Sequence, residues 1–232
     1  MLTFLGYTLV FLALLVSLYL VIRPKSSSQP FLRTAAMGAQ SSPFLLLSLS
    51  FIFEATSLDL VSSYVGEGLP LFYRISAVWG SRSGPLLMWA SMMSVIAWLM
   101  SKDETTDSTT IRVLHFWTLL LLLISAGLRP FSPAVPGSAG EISPLLQTDL
   151  MVIHPPVVFV YYSLCLATAS VAVSGLIRSR PSNEIHASMI PWARYSFLAG
   201  TIGIGLGGLW AYTVLDWGCL LYTSPSPRDD CP

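Results

Sequence analysis

The sequence has little charge: only 10% of its 232 residues are Asp, Glu, Lys or Arg, and the formal net charge is zero. A water-soluble domain usually carries about a quarter charged residues. Together with a mean hydropathy of +0.68, this scarcity indicates a polytopic membrane protein. The balanced charge gives no electrostatic reason to expect nucleic-acid binding, because phosphate backbones attract an excess of basic side chains.

Cysteine and histidine motifs are also missing. The three cysteines form neither C-x-x-C nor C-x-x-C-H, which excludes a thioredoxin-like reductase and a protein that attaches c-type haem to itself. No two of the three histidines are spaced three or four residues apart, so no zinc site is indicated. The first apolar segment lacks a basic n-region and an A-x-A-like cleavage site, and we interpret it as a spanning helix.

Apolar runs are what the chain does contain. Their lengths predict an all-α membrane protein, a bundle of about six transmembrane helices, each able to cross roughly 30 Å of hydrocarbon. The predicted spans are 2–22, 44–56 with flanking residues, 85–100, 111–128, 152–177 and 192–214. Apolar and polar residues are mixed over 60–79, which suits an interfacial helix or a re-entrant segment better than a span.

Basic residues predict the orientation of the bundle. With the N-terminus outside, the inner loops and helix ends carry eight of them, and the outer loops carry only three, leaving aside Arg228. This asymmetry satisfies the positive-inside rule. The inner set is Arg23, Lys25, Arg33, Lys102, Arg112, Arg178, Arg180 and Arg194; the outer set is Arg74, Arg82 and Arg129.

His154 is the main candidate for a functional side chain. It precedes Pro155 and Pro156 at the start of the apolar stretch 157–177, where prolines in a first helical turn cost little. The predicted orientation puts this imidazole on the outer face, where it is either a metal or haem ligand or a simple polar cap. Of the other histidines, we expect His115 to extend its side chain towards the inner interface (snorkelling) rather than to have a functional role. We expect His186 to be solvated.

The sixth apolar run combines glycines with aromatic residues. Its glycines favour close helix packing over a dinucleotide motif, since no strand precedes them; they are Gly200, Gly203, Gly205, Gly207 and Gly208. Trp210, Tyr212 and Trp217 crowd its predicted outer end. Aromatic residues at that depth serve either as an interfacial belt or as a ligand-binding surface.

Several motifs, taken together, resemble the CcmF-type cytochrome c haem lyases. The run 207–218, G-x-x-W-A-Y-x-x-L-x-W-G, is similar to the entry into that family's tryptophan-rich "WWD" segment. S-P-L-L-Q at 143–147 followed by I-H-P-P at 153–156 is similar to its N-P-L-L-Q…H-P-P run. The runs 71–75 and 79–89, which include Trp79 and Trp89, resemble its F-Y-R…W-G-x-x-E-G-S-L-L-x-W pattern, and R-P-F at 129–131 resembles its N-P-F.

Some features depart from that family. Arg82-Ser83 stands where the family has a polar–acidic pair, and Pro85 replaces a serine. The match covers about residues 1–218, interpreted as the N-terminal transmembrane part of such a protein. Residues 219–232 resemble a translated sequencing-adaptor read-through, so we expect a disordered tail that is not native; a genuine Pro/Ser-rich terminus is the alternative.

The resemblance implies a function in cytochrome c maturation: presenting haem b, as the substrate, for covalent attachment to apocytochrome c on the outer face. It implies that His154 is an axial haem ligand. It also implies a flat surface for the porphyrin, formed in part by Trp210, Tyr212 and Trp217. The residues implied to support the site are Pro155, Pro156, Trp79 and Trp89. Implied partners are a haem chaperone, the CxxCH segment of apocytochrome c, other maturation subunits and the lipid bilayer.

The implied location is the bacterial cytoplasmic membrane or the mitochondrial inner membrane, with His154 on the periplasmic or intermembrane side. The alternatives are a non-catalytic structural subunit, the haem-channel protein of the other cytochrome c assembly system, and a transporter. A transporter should contain internal repeats, and none is found in the sequence.

Overall fold

The computed structural model describes residues 1–25, 29–66, 68–103, 105–137 and 139–214, and their regular structure is helical. This confirms the all-α prediction. A single isolated bridge joins Leu58 to Pro133. The helices are α1 (Leu2–Ile22), α2 (Pro30–Ile52), α3 (Asp59–Tyr64), α4 (Leu71–Gly80), α5 (Gly84–Met100), α6 (Ser108–Gly127), α7 (Asp149–Ile177) and α8 (Ser182–Val214).

Five of these helices, α1, α2, α6, α7 and α8, are long and apolar enough to cross a membrane. A sixth span results if α4 and α5 are counted as one element broken by a 90° bend. The count agrees with the predicted bundle of about six.

The second span starts well before its predicted centre at 44–56 and takes in the flanking residues on the N-terminal side. The helix begins at Pro30 and ends at Ile52, with Pro43 in its interior. Proline suits the first helical position because its missing N–H has no helical partner there. Glu54 follows the end of the helix and has a positive φ of 52°.

The segment 60–79 is not a single continuous helix. It forms α3 and α4, and α4 meets α5 at a sharp corner. The Ser81 hydroxyl donates to the Val78 carbonyl (2.7 Å) and accepts from the Gly84 N–H (3.1 Å). A Cβ atom at position 84 would collide with the Val78 carbonyl, so the corner requires glycine there.

Two long loops pack together at the end of the bundle where α2 and α6 finish. The Asp59 N–H donates to the Ser132 carbonyl (2.9 Å), and the Ile142 N–H donates to the Tyr64 carbonyl (3.1 Å). Arg74 of α4 secures the same end: its Nη1 pairs with Glu54 (2.6 Å) and its Nε donates to the Leu69 carbonyl (2.7 Å). Residues 57–64, 132–137 and 139–142 therefore share one end of the bundle.

The apolar core lies among α1, α2, α5 and α6, and α7 packs against α5 and α6 while pairing with α8 along most of its length. Fully buried core side chains include Leu47, Phe51, Leu87, Met93, Leu114 and Leu122.

An ion pair ties the other end of the bundle together. The Asp107 carboxylate caps α6 by accepting from the Thr109 N–H (3.2 Å), and it also accepts from the Ser174 hydroxyl (3.0 Å) and pairs with Arg178. Burial raises the pKa of the Asp107 carboxyl, but the hydrogen bonds from Thr109, Ser174 and Arg178 and the Arg178 charge outweigh burial and lower that pKa below 3.8.

Candidate functional site

His154 lies on α7 and faces α8. Its Nδ1 is 3.0 Å from the carbonyl oxygen of Gly203. A carbonyl oxygen can only accept, so in the neutral ring Nδ1 carries the proton and donates it, and Nε2 keeps its lone pair. Metal-ligating histidines commonly have their second nitrogen held in this way by a carbonyl or carboxylate. The ring is half-buried. Its hydrogen bond to the backbone of α8 fixes the tautomer and the orientation of the ring.

Two residues of α8 complete the surroundings of this ring. The Trp210 indole stacks on the imidazole with ring centroids 6.3 Å apart and an interplanar angle of 28°. A Cβ atom on Gly207 would lie 2.7 Å from His154 Cε1, a distance that forces the imidazole to move. The absence of a side chain at Gly207 therefore allows the imidazole to approach the helix backbone.

Three of the glycines on α8 belong to the contact with α7. Cβ atoms on Gly200, Gly203 and Gly207 would meet Tyr161, Val158 and His154 respectively. The predicted close packing of this glycine-rich helix is seen at these three positions, which follow the helical period. Gly205 and Gly208 have open space at the corresponding place, so they are not part of this contact.

Trp79 is attached to the helix that carries His154. Its indole N–H donates to the Met151 carbonyl at 2.8 Å. In an α-helix this carbonyl would accept from the N–H of residue 155, four positions later, and Pro155 has no N–H. The indole of α4 thus supplies the hydrogen bond that the proline removes, one turn before His154.

The interpretation of Pro155 and Pro156 as first-turn residues is wrong. α7 begins at Asp149, so both prolines lie in the helix interior. The Thr148 hydroxyl caps the helix by accepting from the Met151 N–H (3.3 Å), and Asp149 places a negative charge in the first turn. The cap residues Thr148 and Asp149 were the sequence signal for this earlier start.

The remaining aromatic candidates lie elsewhere. Trp89 of α5 packs against Phe159 and Tyr162 of α7, with ring centroids 5.8 Å and 5.6 Å away. Tyr212 follows Trp210 by two residues, about 200° around the helix, and is 57% exposed, which places it away from the His154 stack. Trp217 lies outside the described residues, as does the tail 219–232.

His115 does not snorkel as expected. It is buried, and its Nδ1 lies 3.1 Å from Nε2 of Gln40, which also donates to the Ser17 hydroxyl at 2.9 Å. The three side chains join α1, α2 and α6 by polar contacts inside the bundle. His186 is exposed, consistent with the interpretation that it is solvated.

Comparison with known proteins gives the family. The model of the family described as "Cytochrome C assembly protein" matches residues 79–220, more than half of the chain and a region that contains Trp79, His154 and Trp210. The chain belongs to this family. The CcmF-type resemblance is confirmed by curated relatives that cover most of the chain. No solved structure matches.

The curated relatives that follow are longer than this member of the cytochrome C assembly family. The chain is 29% identical to "Cytochrome c-type biogenesis protein NrfE" of Haemophilus influenzae over 191 residues, which is 78% of the chain and 30% of the relative. The figures are the same for "Cytochrome c-type biogenesis protein CcmF" of Escherichia coli. The match to CcmF of Haemophilus influenzae is 29% identical over an alignment of 236 residues, gaps included, and it covers 92% of the chain and 36% of the relative. The chain thus spans about a third of their length.

Proposed function

We propose that this chain acts in cytochrome c maturation as a haem-handling subunit of a membrane haem lyase, with haem b as its substrate. The relatives are named for cytochrome c biogenesis, and the family model covers the region around His154. The observation that carries the proposal is the hydrogen bond from His154 Nδ1 to the Gly203 carbonyl, because it leaves Nε2 as the ligating atom.

The residues around His154 fit a haem. A neutral imidazole with a free Nε2 is a common axial ligand of haem iron. Trp210 offers a flat apolar surface next to the imidazole, which suits the face of a porphyrin. Among the described residues, no group of three or more His, Cys, Asp or Glu side chains could hold a metal ion by itself. A porphyrin, which brings its own four nitrogen ligands, needs no such group.

In this proposal each side chain has a separate task. His154 holds the iron, Trp210 contacts the porphyrin face, and Trp79 fixes the turn of α7 that precedes His154. Thioether formation joins the haem vinyl groups to the two cysteines of an apocytochrome CxxCH segment, and holding both reactants in place supplies most of what this step needs. Apocytochrome c, a haem chaperone and other maturation subunits are the partners. The site would face the periplasm or the intermembrane space.

Haem retention tests the proposal. The purified full chain, reconstituted with haem, should show a Soret band, and His154→Ala should remove most of it while His186→Ala leaves it unchanged. Added imidazole should restore the band in His154→Ala, because a free imidazole can occupy the vacated ligand position. An unchanged Soret band in His154→Ala would contradict the ligand assignment. A chain that never acquires the band would instead support a purely structural subunit.

A further inference from the structure

A basic cavity lies at the end of the bundle opposite His154. Its volume is about 530 Å³, and it opens where α1 and α5 end and α2 and α6 begin. Three cations contribute to its lining, Lys25, Arg33 and Lys102, together with one acid, Asp103. Nothing in the proposed haem chemistry uses this cavity.

Arg33 contributes its guanidinium to the lining of the cavity. Its Nη1 donates to the Ser101 carbonyl at 2.8 Å, which fixes the guanidinium between α2 and α5. The guanidinium has further N–H donors, and a charge-assisted hydrogen bond from one of them to an anion in the cavity would be stronger than a neutral one.

Lys102, at the same cavity, forms a cation–π contact with the Trp98 indole. Its Nζ lies 3.2 Å from the centroid of the Trp98 indole, which orders the side chain while leaving the ammonium its full charge. Among the residues that the structure describes, neither Arg33 nor Lys102 forms an ion pair with a carboxylate.

The acidic residue of the lining, Asp103, forms its hydrogen bonds within its own loop. Asp103 Oδ1 accepts from the Thr105 N–H (2.9 Å) and from the Thr105 hydroxyl (2.7 Å). These hydrogen bonds lower the pKa of Asp103, so it stays charged, but its carboxylate is engaged by Thr105, while Arg33 and Lys102 also line the cavity.

The start of α2 adds positive potential. Pro30 lines the cavity at the beginning of this 23-residue helix, and no side chain of the described residues caps it. Unpaired N–H groups and the helix dipole make such a terminus favourable for an anion. At the neighbouring start of α6, the Asp107 carboxylate already occupies the equivalent place.

We propose that this cavity binds a phosphate group. A tetrahedral anion can accept from the Arg33 guanidinium and the Lys102 ammonium together, and it matches the positive end of α2. The cavity lies at the ends of membrane-spanning helices, which is the depth of lipid headgroups. The phosphate therefore belongs to an anionic phospholipid or to a soluble phosphate compound, and experiment distinguishes these two sources.

Lipid binding can be measured on the full chain in detergent, with phosphatidylglycerol or phosphatidylcholine added and bound lipid counted by native mass spectrometry. Each basic side chain near a lipid phosphate is worth roughly fivefold in affinity. The double variant Arg33→Gln/Lys102→Gln should therefore bind phosphatidylglycerol about thirty-fold more weakly. Arg194→Gln removes an exposed charge of α8 outside the cavity and serves as the matched control.

The charge-preserving variant Arg33→Lys/Lys102→Arg should keep most of the binding, which separates loss of charge from loss of folding. If inorganic phosphate binds the original chain and not the double Gln variant, with no preference for phosphatidylglycerol, the cavity is a soluble-phosphate site. Equal phosphatidylglycerol and phosphate binding by the original chain and the double Gln variant overturns the proposal. An equal loss in Arg194→Gln overturns it as well, because the effect would then be general surface charge.

Discussion

The indole N–H of Trp79 donates to the carbonyl of Met151, the acceptor that Pro155 leaves without its helical donor. A residue far away in the sequence thus supplies the hydrogen-bond donor that the Met151 carbonyl lacks within α7. The contact also joins α4 to the turn that precedes His154. A helix-breaking residue beside a candidate ligand is thereby tolerated by a specific side chain from another element.

Trp79→Phe should destabilise the protein by about 1 kcal/mol in excess of the change in packing, because the Met151 carbonyl loses its donor. In a Pro155→Ala background the new N–H at 155 can serve that carbonyl, and the excess cost should largely disappear. The free energy of unfolding in detergent, measured for both single variants and the double variant, tests this coupling. The same cost of Trp79→Phe in both backgrounds would show that the hydrogen bond does not compensate for the proline.

Gly207→Ala should displace the His154 imidazole, since the added Cβ would lie 2.7 Å from Cε1. We expect a loss of about 1–3 kcal/mol of stability, typical of overpacking. The Soret band expected of the reconstituted chain should weaken or shift. Gly205→Ala is the matched control, because its Cβ meets open space and alanine is the better helix former. Equal spectra and stabilities for the two variants would contradict the close approach of the imidazole to α8.

Acidification should weaken the link between α6 and α7. The folded-state pKa of Asp107 lies below its ordinary 3.8, so its contribution to stability is fully present above that ordinary value. It is lost as the pH falls through the lowered pKa. The Asp107→Asn variant retains a helix cap but loses the charge that pairs with Arg178, so it should be less stable at neutral pH and show a flatter acid limb. Thermal unfolding between neutral and strongly acidic pH measures this, and an identical acid limb in both proteins would refute it.

Gln40→Leu should cost about 1 kcal/mol, because interhelical hydrogen bonds inside membranes are individually modest and this side chain makes two of them. Ser48→Ala is a suitable control, since the Ser48 hydroxyl donates only to the Phe44 carbonyl of its own helix. The Soret band should be the same in both variants, because the cluster lies among α1, α2 and α6, away from α7 and α8. A spectral change in Gln40→Leu would instead couple His115 to the haem site.

Helix content and span number could be predicted from the sequence, because apolar length is a local signal, while the roles of His154 and Trp210 stay predictions. The start of α7 could not be placed from hydropathy, since the polar Thr148 and Asp149 stand there, and only the capping preference of these two residues marks it. The pairing of His154 with Gly203 and Gly207 depends on how two helices are turned towards each other, which single-helix patterns do not specify. The burial of His115 likewise depends on Gln40, a partner 75 positions away in the sequence.

Two residues of α4, Arg74 and Trp79, are held by contacts to other parts of the chain, and this limits how the segment between them can evolve. Arg74 is tied to Glu54 and the Leu69 carbonyl, and Trp79 to the Met151 carbonyl. One residue inserted between them would rotate the indole by about 100° and move it by about 1.5 Å, taking its N–H out of reach. We therefore expect homologous proteins with this geometry to vary in side chains between these two positions while keeping their separation constant, because helical phase tolerates no insertion or deletion there.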